Sequence, residues 1–434
     1  MCLTIPAQVI KLKEGRATIQ DFNTRKEINT VLIPDLKVGD WLLYISNKAI
    51  KKIPKDEAKE IIELLKISQP LNILKLDRKY RKIIEKSKTG DLIKEEIIDL
   101  LNVQGREKEA LYSEANITRK TYLKDFICLH GIIEFSNFCK NDCFYCGLRR
   151  ENQELKRYRM EIPEIVKVAE KAVNERGYKL LVLQSGEDYF YTDEMLVEMI
   201  RKIKERCRVF IFMSIGERGY ESYQKMKQAG ASGVLFRFET SNPKLFKRLH
   251  PQGKNFQNRF EHLKFMKELG YFIATGSLIG LPGQTIEDLA DDILTMKKWA
   301  NMISMGPFIP TENTPLAEAP NDEGTKQWKI EMNLKMIAIL RLMMPEVRIP
   351  VVTALETLAG QEGRKKALQA GANSLMFNLT PEKCRPFYRT YPDKFYQKES
   401  IWEKHGLFKY EESYKMLEER MQKELKKNNI YAKY

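Results

Sequence analysis

Between residues 128 and 378 the sequence alternates eight short apolar runs with amphipathic stretches, and this alternation constrains the fold more than any other feature. The runs are "CLHGIIEFS", "KLLVLQSGED", "RVFIFMSIGE", "GVLFRFET", "FIATGSLIGLPG", "NMISMGPFIP", "RIPVVTALE" and "SLMFN". Between them lie segments such as "PEIVKVAEKAVNERG", "ESYQKMKQAG" and "IEDLADDILTMKKWA", whose apolar residues recur at helical spacing. Strands separated by helices feed a parallel sheet. Eight such units over roughly 250 residues predict an α/β protein built on a parallel (β/α)8, TIM-type barrel. That fold carries its chemistry at the C-terminal ends of the strands. Polar residues collect there: Ser185, Glu187 and Asp188; Ser214, Glu217 and Arg218; Arg237, Glu239 and Thr240; Thr353 and Thr357; Asn378.

The first 67 residues read differently. Short β-rich runs ("AQVIKL", "RATIQDF", "INTVLIP", "WLLYIS", "KAIKKI") are separated by turn signals at Lys13-Glu14-Gly15 and Val38-Gly39-Asp40. "KDEAKEIIELLKI" follows as an amphipathic helix, so residues 1–67 predict a small β-barrel with a terminal helix. Residues 68–79 are the expected linker. Residues 80–400 form the barrel unit, opening with helices of mixed charge up to about Asp125, and residues 401–434 read as a charged helical tail.

Composition decides less. No apolar run approaches the ~18 residues of a membrane span, and "MCLTIPAQVIKLKEG" turns charged too soon for a signal peptide. Seven cysteines, three of them clustered, argue against a secreted disulfide framework and for a cytoplasmic protein with reduced thiols. The formal charge of +15 comes mostly from lysines interleaved with glutamates, which fits a solvated surface better than a nucleic-acid groove.

Cys139, Cys143 and Cys146 fall within eight residues, starting three residues after the first barrel strand. A structural zinc site needs four ligands, and the nearest candidates, Cys128 and His130, lie upstream in the strand itself. A redox C-x-x-C pair would leave Cys139 unexplained. A four-iron cubane, by contrast, can be held by three thiolates with one iron left open. C-x3-C-x2-C with an aromatic residue, Tyr145, before the last cysteine resembles the radical S-adenosylmethionine (SAM) superfamily. The resemblance implies one 4Fe–4S cluster on Cys139, Cys143 and Cys146, whose open iron chelates SAM. Reductive cleavage then yields a 5′-deoxyadenosyl radical. It also implies SAM contacts from Tyr145, from Gln184, Ser185, Gly186 and Glu187 after the second strand, and from Ser214, Glu239 and Arg259. "LIGLPGQT" resembles the glycine-rich strand beside the adenine. Arg237 and Glu239, two apart on a strand, should share one face, with Phe236 and Phe238 on the other. They are either a buried ion pair or groups that bind something polar.

The stretches "GIIEFSNFCKNDCFYCGLRR", "YRM", "VLQSGED", "SIGER", "RFETSNPKLFKRLHP", "GLPGQT", "GPFIP" and "NLTP" together resemble the FeFe-hydrogenase maturase HydE family. This implies action on an iron–cysteinate complex carrying CO and cyanide, with Arg237 and Thr353 at the positions that hold the substrate's carboxylate. Val352 stands where members often have a second threonine. Some members carry a second cluster on three cysteines near the C-terminal end of the barrel; Cys384 has no companions there, so none is expected. "MCLTIPAQVI", "LIPDLKVGDWLLY" and "AIKKIPKDEAKEIIELL" resemble the NiFe-hydrogenase chaperone HypC/HupF family, in which Cys2 ligates an iron bearing CO and cyanide. Ile45 stands where that family usually has histidine.

The resemblances imply other hydrogenase maturases as partners and an electron donor such as ferredoxin or flavodoxin, with neither membrane nor nucleic acid. Three other readings remain: a biotin synthase- or methylornithine synthase-like enzyme on an amino-acid-type substrate, an RNA-modifying radical SAM enzyme, and a non-catalytic carrier of an iron fragment.

Overall fold

The computed structural model describes residues 5–21, 25–33, 35–45, 47–59, 76–123, 127–251 and 256–394. The chain divides near Pro70 into two compact units.

In the first unit, β1 (Ile5–Lys13), β2 (Arg16–Gln20), β3 (Arg25–Asn29), β4 (Trp41–Ile45) and β5 (Lys48–Ile53) close a barrel in the order β1-β2-β3-β5-β4. Alternate residues point inward, so Ala7 and Val9, Ala17 and Ile19, Leu42 and Tyr44 build one core with Ile28 and Ala49. The third strand departs from expectation. It is Arg25–Asn29, and most of the apolar run "INTVLIP" is a turn. The Asn29 side chain accepts from the Val31 N–H (2.9 Å), and the Ile33 N–H donates to the Thr30 carbonyl (2.8 Å). These local bonds take the chain out of the sheet and leave Val31 and Leu32 68% and 67% exposed. A helix covers residues 55–59; the rest of the expected helix, most of the linker and Cys2 lie outside the described residues.

In the second unit, helices Arg78–Ser87, Lys94–Asn102 and Gly105–Leu123 precede the barrel, the first starting two residues inside the expected linker with Asp77 capping the Lys79 N–H at 2.7 Å. The barrel strands are β6 (Cys128–Ser136), β7 (Leu180–Ser185), β8 (Phe210–Ser214), β9 (Gly233–Leu235), β10 (Phe272–Thr275), β12 (Met302–Ile303), β14 (Pro350–Val351) and β15 (Ser374–Asn378). They pair in parallel in the order β12-β10-β9-β8-β7-β6-β15-β14. The two edges meet where Met302 bridges Arg348 and the Ile303 N–H donates to the Arg348 carbonyl at 2.8 Å. A short parallel pair, β11 (Leu278–Ile279) with β13 (Gly306–Pro307), follows β10 and β12 in the chain. All eight apolar runs therefore supply barrel strands.

The period of two along each strand sets where the barrel changes character. Ile132, Val182 and Phe212 fill the interior together with Leu180, Phe210, Phe272, Ala274 and Met302. Two residues further along the same faces come Glu134, Gln184 and Ser214, which line a cavity of about 300 Å³. The apolar plug thus ends where the polar chemistry begins.

Candidate active site

The loop carrying the three cysteines leaves β6 at Ser136 and is wrapped around one guanidinium. Arg157 donates to the carbonyls of Asn137 (2.6 Å), Leu148 (2.9 Å), Arg149 (2.6 Å) and Asn152 (3.2 Å). The Asn137 side chain donates to the Lys156 and Phe387 carbonyls and accepts from the Tyr158 N–H. Neither anchor belongs to the cysteine motif.

Two glycines are required by close approach. A Cβ on Gly147 would lie 2.2 Å from the Arg389 carbonyl oxygen, and one on Gly186 would lie 2.2 Å from that of Phe138 and 2.8 Å from Cys139 Cβ. Because residue 186 lacks a side chain, the β7 loop runs against Cys139, and the Glu187 N–H donates to Cys139 Sγ at 3.4 Å. Cys139, Cys143 and Cys146 all line the cavity. Burial, and after it the neighbouring Cys143 and Cys139, push the Cys146 thiol well above its ordinary range. Three sulfurs crowded like this repel one another as thiolates, which is the donor set a positively charged metal core reverses.

The same cavity is lined by Tyr145, Gln184, Ser185, Gly186, Glu187, Ser214, Arg237, Glu239, Arg259 and Thr353. All the site residues expected in the barrel are thus brought together. His250 bonds the Phe246 carbonyl through Nδ1 at 2.8 Å, so that nitrogen carries the proton. Its Nε2 then accepts from the Tyr145 hydroxyl at 2.9 Å. Glu239 has φ 69°, a backbone region that side chains rarely enter, secured by its N–H to the Gly276 carbonyl (3.2 Å) and its carbonyl to the Leu278 N–H (2.9 Å). Arg237 lies 3.5 Å from the Glu239 carboxylate and donates to the Ser277 carbonyl at 2.6 Å.

One expectation is corrected here. Strand β9 ends at Leu235, so the strict two-sided alternation stops before Arg237, and Phe236 lines the cavity as well. Its ring lies parallel to that of His262 (interplanar angle 10°), with the Arg259 guanidinium 3.9 Å from its centre. Arg259 also donates to Glu217 (3.1 Å) and to the Arg237 carbonyl (2.9 Å). Burial pulls its pKa down, but Glu217, Glu187 and Glu239 outweigh this and leave it above the ordinary value.

The cavity also holds Glu134, Tyr388 and Lys394, none of them among the expected site residues. Glu134, 1% exposed, pairs with Lys394 and accepts from Asn378 Nδ2 at 2.7 Å, while Gln184 donates to the Tyr388 hydroxyl at 3.1 Å. Glu134 could have been flagged as a carboxylate on the inward face of an apolar strand; Lys394 and Tyr388 gave no local signal. Cys384 is buried, and among the described residues no group of His, Cys, Asp and Glu is arranged to hold a single metal ion. No helix among them is long and apolar enough to cross a membrane.

Residues 133–296 match the Radical SAM superfamily, 1–65 the HupF/HypC family, and 301–421 the Biotin and Thiamin Synthesis associated domain. The [FeFe] hydrogenase maturase subunit HydE of Thermotoga maritima is 42% identical over 316 residues, which cover 72% of this chain and 88% of that protein. The chain belongs to the HydE family of radical SAM enzymes. Among solved structures, methylornithine synthase aligns with a TM-score of 0.61 at 30% identity, covering 68% of this chain and 85% of that one. The FeFe-hydrogenase maturase HydG from Carboxydothermus hydrogenoformans aligns at 0.63 and 25% identity, covering 77% and 80%. Membership of the radical SAM family implies a 4Fe–4S cluster and SAM. The thiol triad around one cavity, with an N–H already directed at Cys139 Sγ, fits such a group.

Proposed function

We propose that the chain is a hydrogenase maturase that uses SAM-derived radical chemistry on an iron–cysteinate complex bearing CO and cyanide. The observation that carries this reading is the meeting, in one cavity, of the cysteine triad with Arg237 and Thr353. Cys139, Cys143 and Cys146 would hold a single 4Fe–4S cluster. Bound there with SAM, it supplies the electron that cleaves SAM to a 5′-deoxyadenosyl radical.

The protein's own groups divide the remaining work. Glu239, its carboxylate fixed by the left-handed backbone, accepts hydrogen bonds from the ribose hydroxyls. Gln184, Ser185, Gly186, Glu187 and Ser214 flank the amino-acid end of SAM, and Tyr145 packs beside it. Arg259 places positive charge near the SAM carboxylate while Glu217 holds its orientation. Arg237 and Thr353 meet the carboxylate of the substrate's cysteine. Tyr388 and Lys394 line the same cavity from outside the strands, limiting water access to a radical formed inside it.

Anaerobic reconstitution with iron and sulfide, followed by SAM and dithionite, should yield 5′-deoxyadenosine. Adding the iron–cysteinate complex should change its CO and cyanide infrared bands in step with nucleoside formation. Serine at any of the three cysteines should abolish the nucleoside with the fold intact by circular dichroism. Nucleoside formation in all three serine variants would sink the assignment, and more than four irons bound by the Cys2→Ala chain, which lacks the thiol of the N-terminal unit, would sink the single cluster.

A further inference from the structure

Tyr388 reaches the cavity from outside the barrel strands, on a segment fastened at several points. Asn137 Nδ2 donates to the Phe387 carbonyl at 2.7 Å, and the Gly147 N–H donates to the Thr390 carbonyl at 3.0 Å. Lys394, paired with Glu134, stands with its Nζ 4.9 Å from the centre of the Tyr388 ring. Tyr388 itself is 2% exposed, so its hydroxyl cannot turn out to water.

That hydroxyl is half satisfied. It accepts from Gln184 Nε2 at 3.1 Å. A phenol also has a proton to give, and among the described residues no group accepts it. Burial, and after it the Glu134 carboxylate, raise its pKa well above the ordinary value and keep the proton in place. A buried donor without an acceptor carries the full cost of its desolvation. Gln184 fixes the depth at which this donor sits. With Glu134 and Ser214 it forms the polar layer directly above the apolar plug, two positions before Gly186 and the contact with Cys139. Ile132, Leu235 and Met376 line the same cavity with apolar surface.

We infer that the Tyr388 hydroxyl donates a hydrogen bond to the nitrogen of the cyanide on the substrate iron, and so decides which diatomic ligand faces this wall. The inference rests on the function proposed above and adds the contact that tells the ligands apart. Arg237 and Thr353 are committed there to the cysteine carboxylate, and Arg259 to SAM. The charge of Lys394 is met by Glu134. Iron-bound cyanide holds negative charge on its terminal nitrogen and takes a strong hydrogen bond, whereas the oxygen of iron-bound CO takes a feeble one. A single donor set among apolar side chains therefore separates two ligands of equal size.

Tyr388→Phe removes the hydroxyl and keeps the ring. The test uses the full chain, reconstituted anaerobically and loaded with SAM. Binding is measured for two iron–cysteinate complexes, one with CO and cyanide and one with CO in place of the cyanide. The variant should bind the cyanide complex about tenfold more weakly and the all-CO complex as the parent does. The cyanide infrared band of the bound complex should move between parent and variant by more than any CO band. Equal affinity for the cyanide complex and an unmoved cyanide band would overturn the contact. Equal losses for both complexes would also overturn it, because the hydroxyl would then only shape the cavity. So would a loss of SAM affinity in equilibrium dialysis without either complex, which would give the donor to SAM. A parent that binds neither complex, yet forms 5′-deoxyadenosine, would overturn the proposed substrate itself and this contact with it.

Discussion

Glu239 is held at φ 69°, which costs about 1–3 kcal/mol in an isolated non-glycine residue. Two backbone hydrogen bonds to residues 276 and 278 secure it, and the result is a carboxylate aimed into the cavity beside Arg237. A purely structural ion pair would not require that strain. Glu239→Gln should therefore weaken SAM binding by about 1–3 kcal/mol, the cost of losing a hydrogen bond to a charged group. Equilibrium dialysis against thermal melting separates the readings. Unchanged SAM affinity with a lowered Tm would make the pair structural. Arg237 and Glu239 were legible as candidates for a site or a buried ion pair because charges spaced two apart in an apolar run are expensive. The strain at Glu239 and the inward ring of Phe236 were not, since both depend on where β9 stops pairing.

At the scale of elements, the site loop after Glu239 is anchored from behind by helix Ile286–Trp299. Asp292 accepts from both the N–H and the hydroxyl of Ser241 at 2.6 Å, and Asn242 donates to Asp288 at 2.8 Å. Burial raises the Asp292 carboxyl to about 7, against the opposing pull of Ser241. A carboxyl raised above its unfolded value favours the native state fully below that value, near 3.8, and the benefit is lost as pH rises through about 7. The Tm advantage of the parent over Asp292→Asn should accordingly shrink between pH 5 and pH 8, followed by thermal melts at both pH values. An advantage independent of pH would show that Asp292 does not titrate in this window. The eight strands themselves were readable because burial imposes a short apolar run on each. The small barrel shows the limit of that logic: "INTVLIP" is apolar enough for a strand, but the Asn29 side chain diverts it into a turn.

For the whole molecule, a HupF/HypC-type unit at residues 1–65 is fused to a HydE-type barrel. The function proposed above, and the expectation for Cys2, would have both units handle iron carrying CO and cyanide. Tethering a carrier to an enzyme raises the effective concentration of what it carries to the mM range when both sites can be reached. If Cys2 holds such an iron fragment, Cys2→Ala in the full chain should lower hydrogenase maturation at limiting substrate while 5′-deoxyadenosine formation from SAM stays intact. Full maturation by that variant would leave the unit a role other than iron ligation.

The sequence by itself determined the barrel and singled out the thiol triad as its candidate donor set. Three thiols at C-x3-C-x2-C are a local chemical fact, and alternating apolar periods leave few ways to bury eight strands and their helices. Only the tertiary structure decided what closes the cavity. Glu134 meets Lys394 across 260 residues, and Gln184 meets Tyr388 across 204. Arg157, from outside the motif, gathers four carbonyls of the cysteine loop. Such contacts leave no periodicity behind, because they come into existence when the strands close and bring distant segments to one rim.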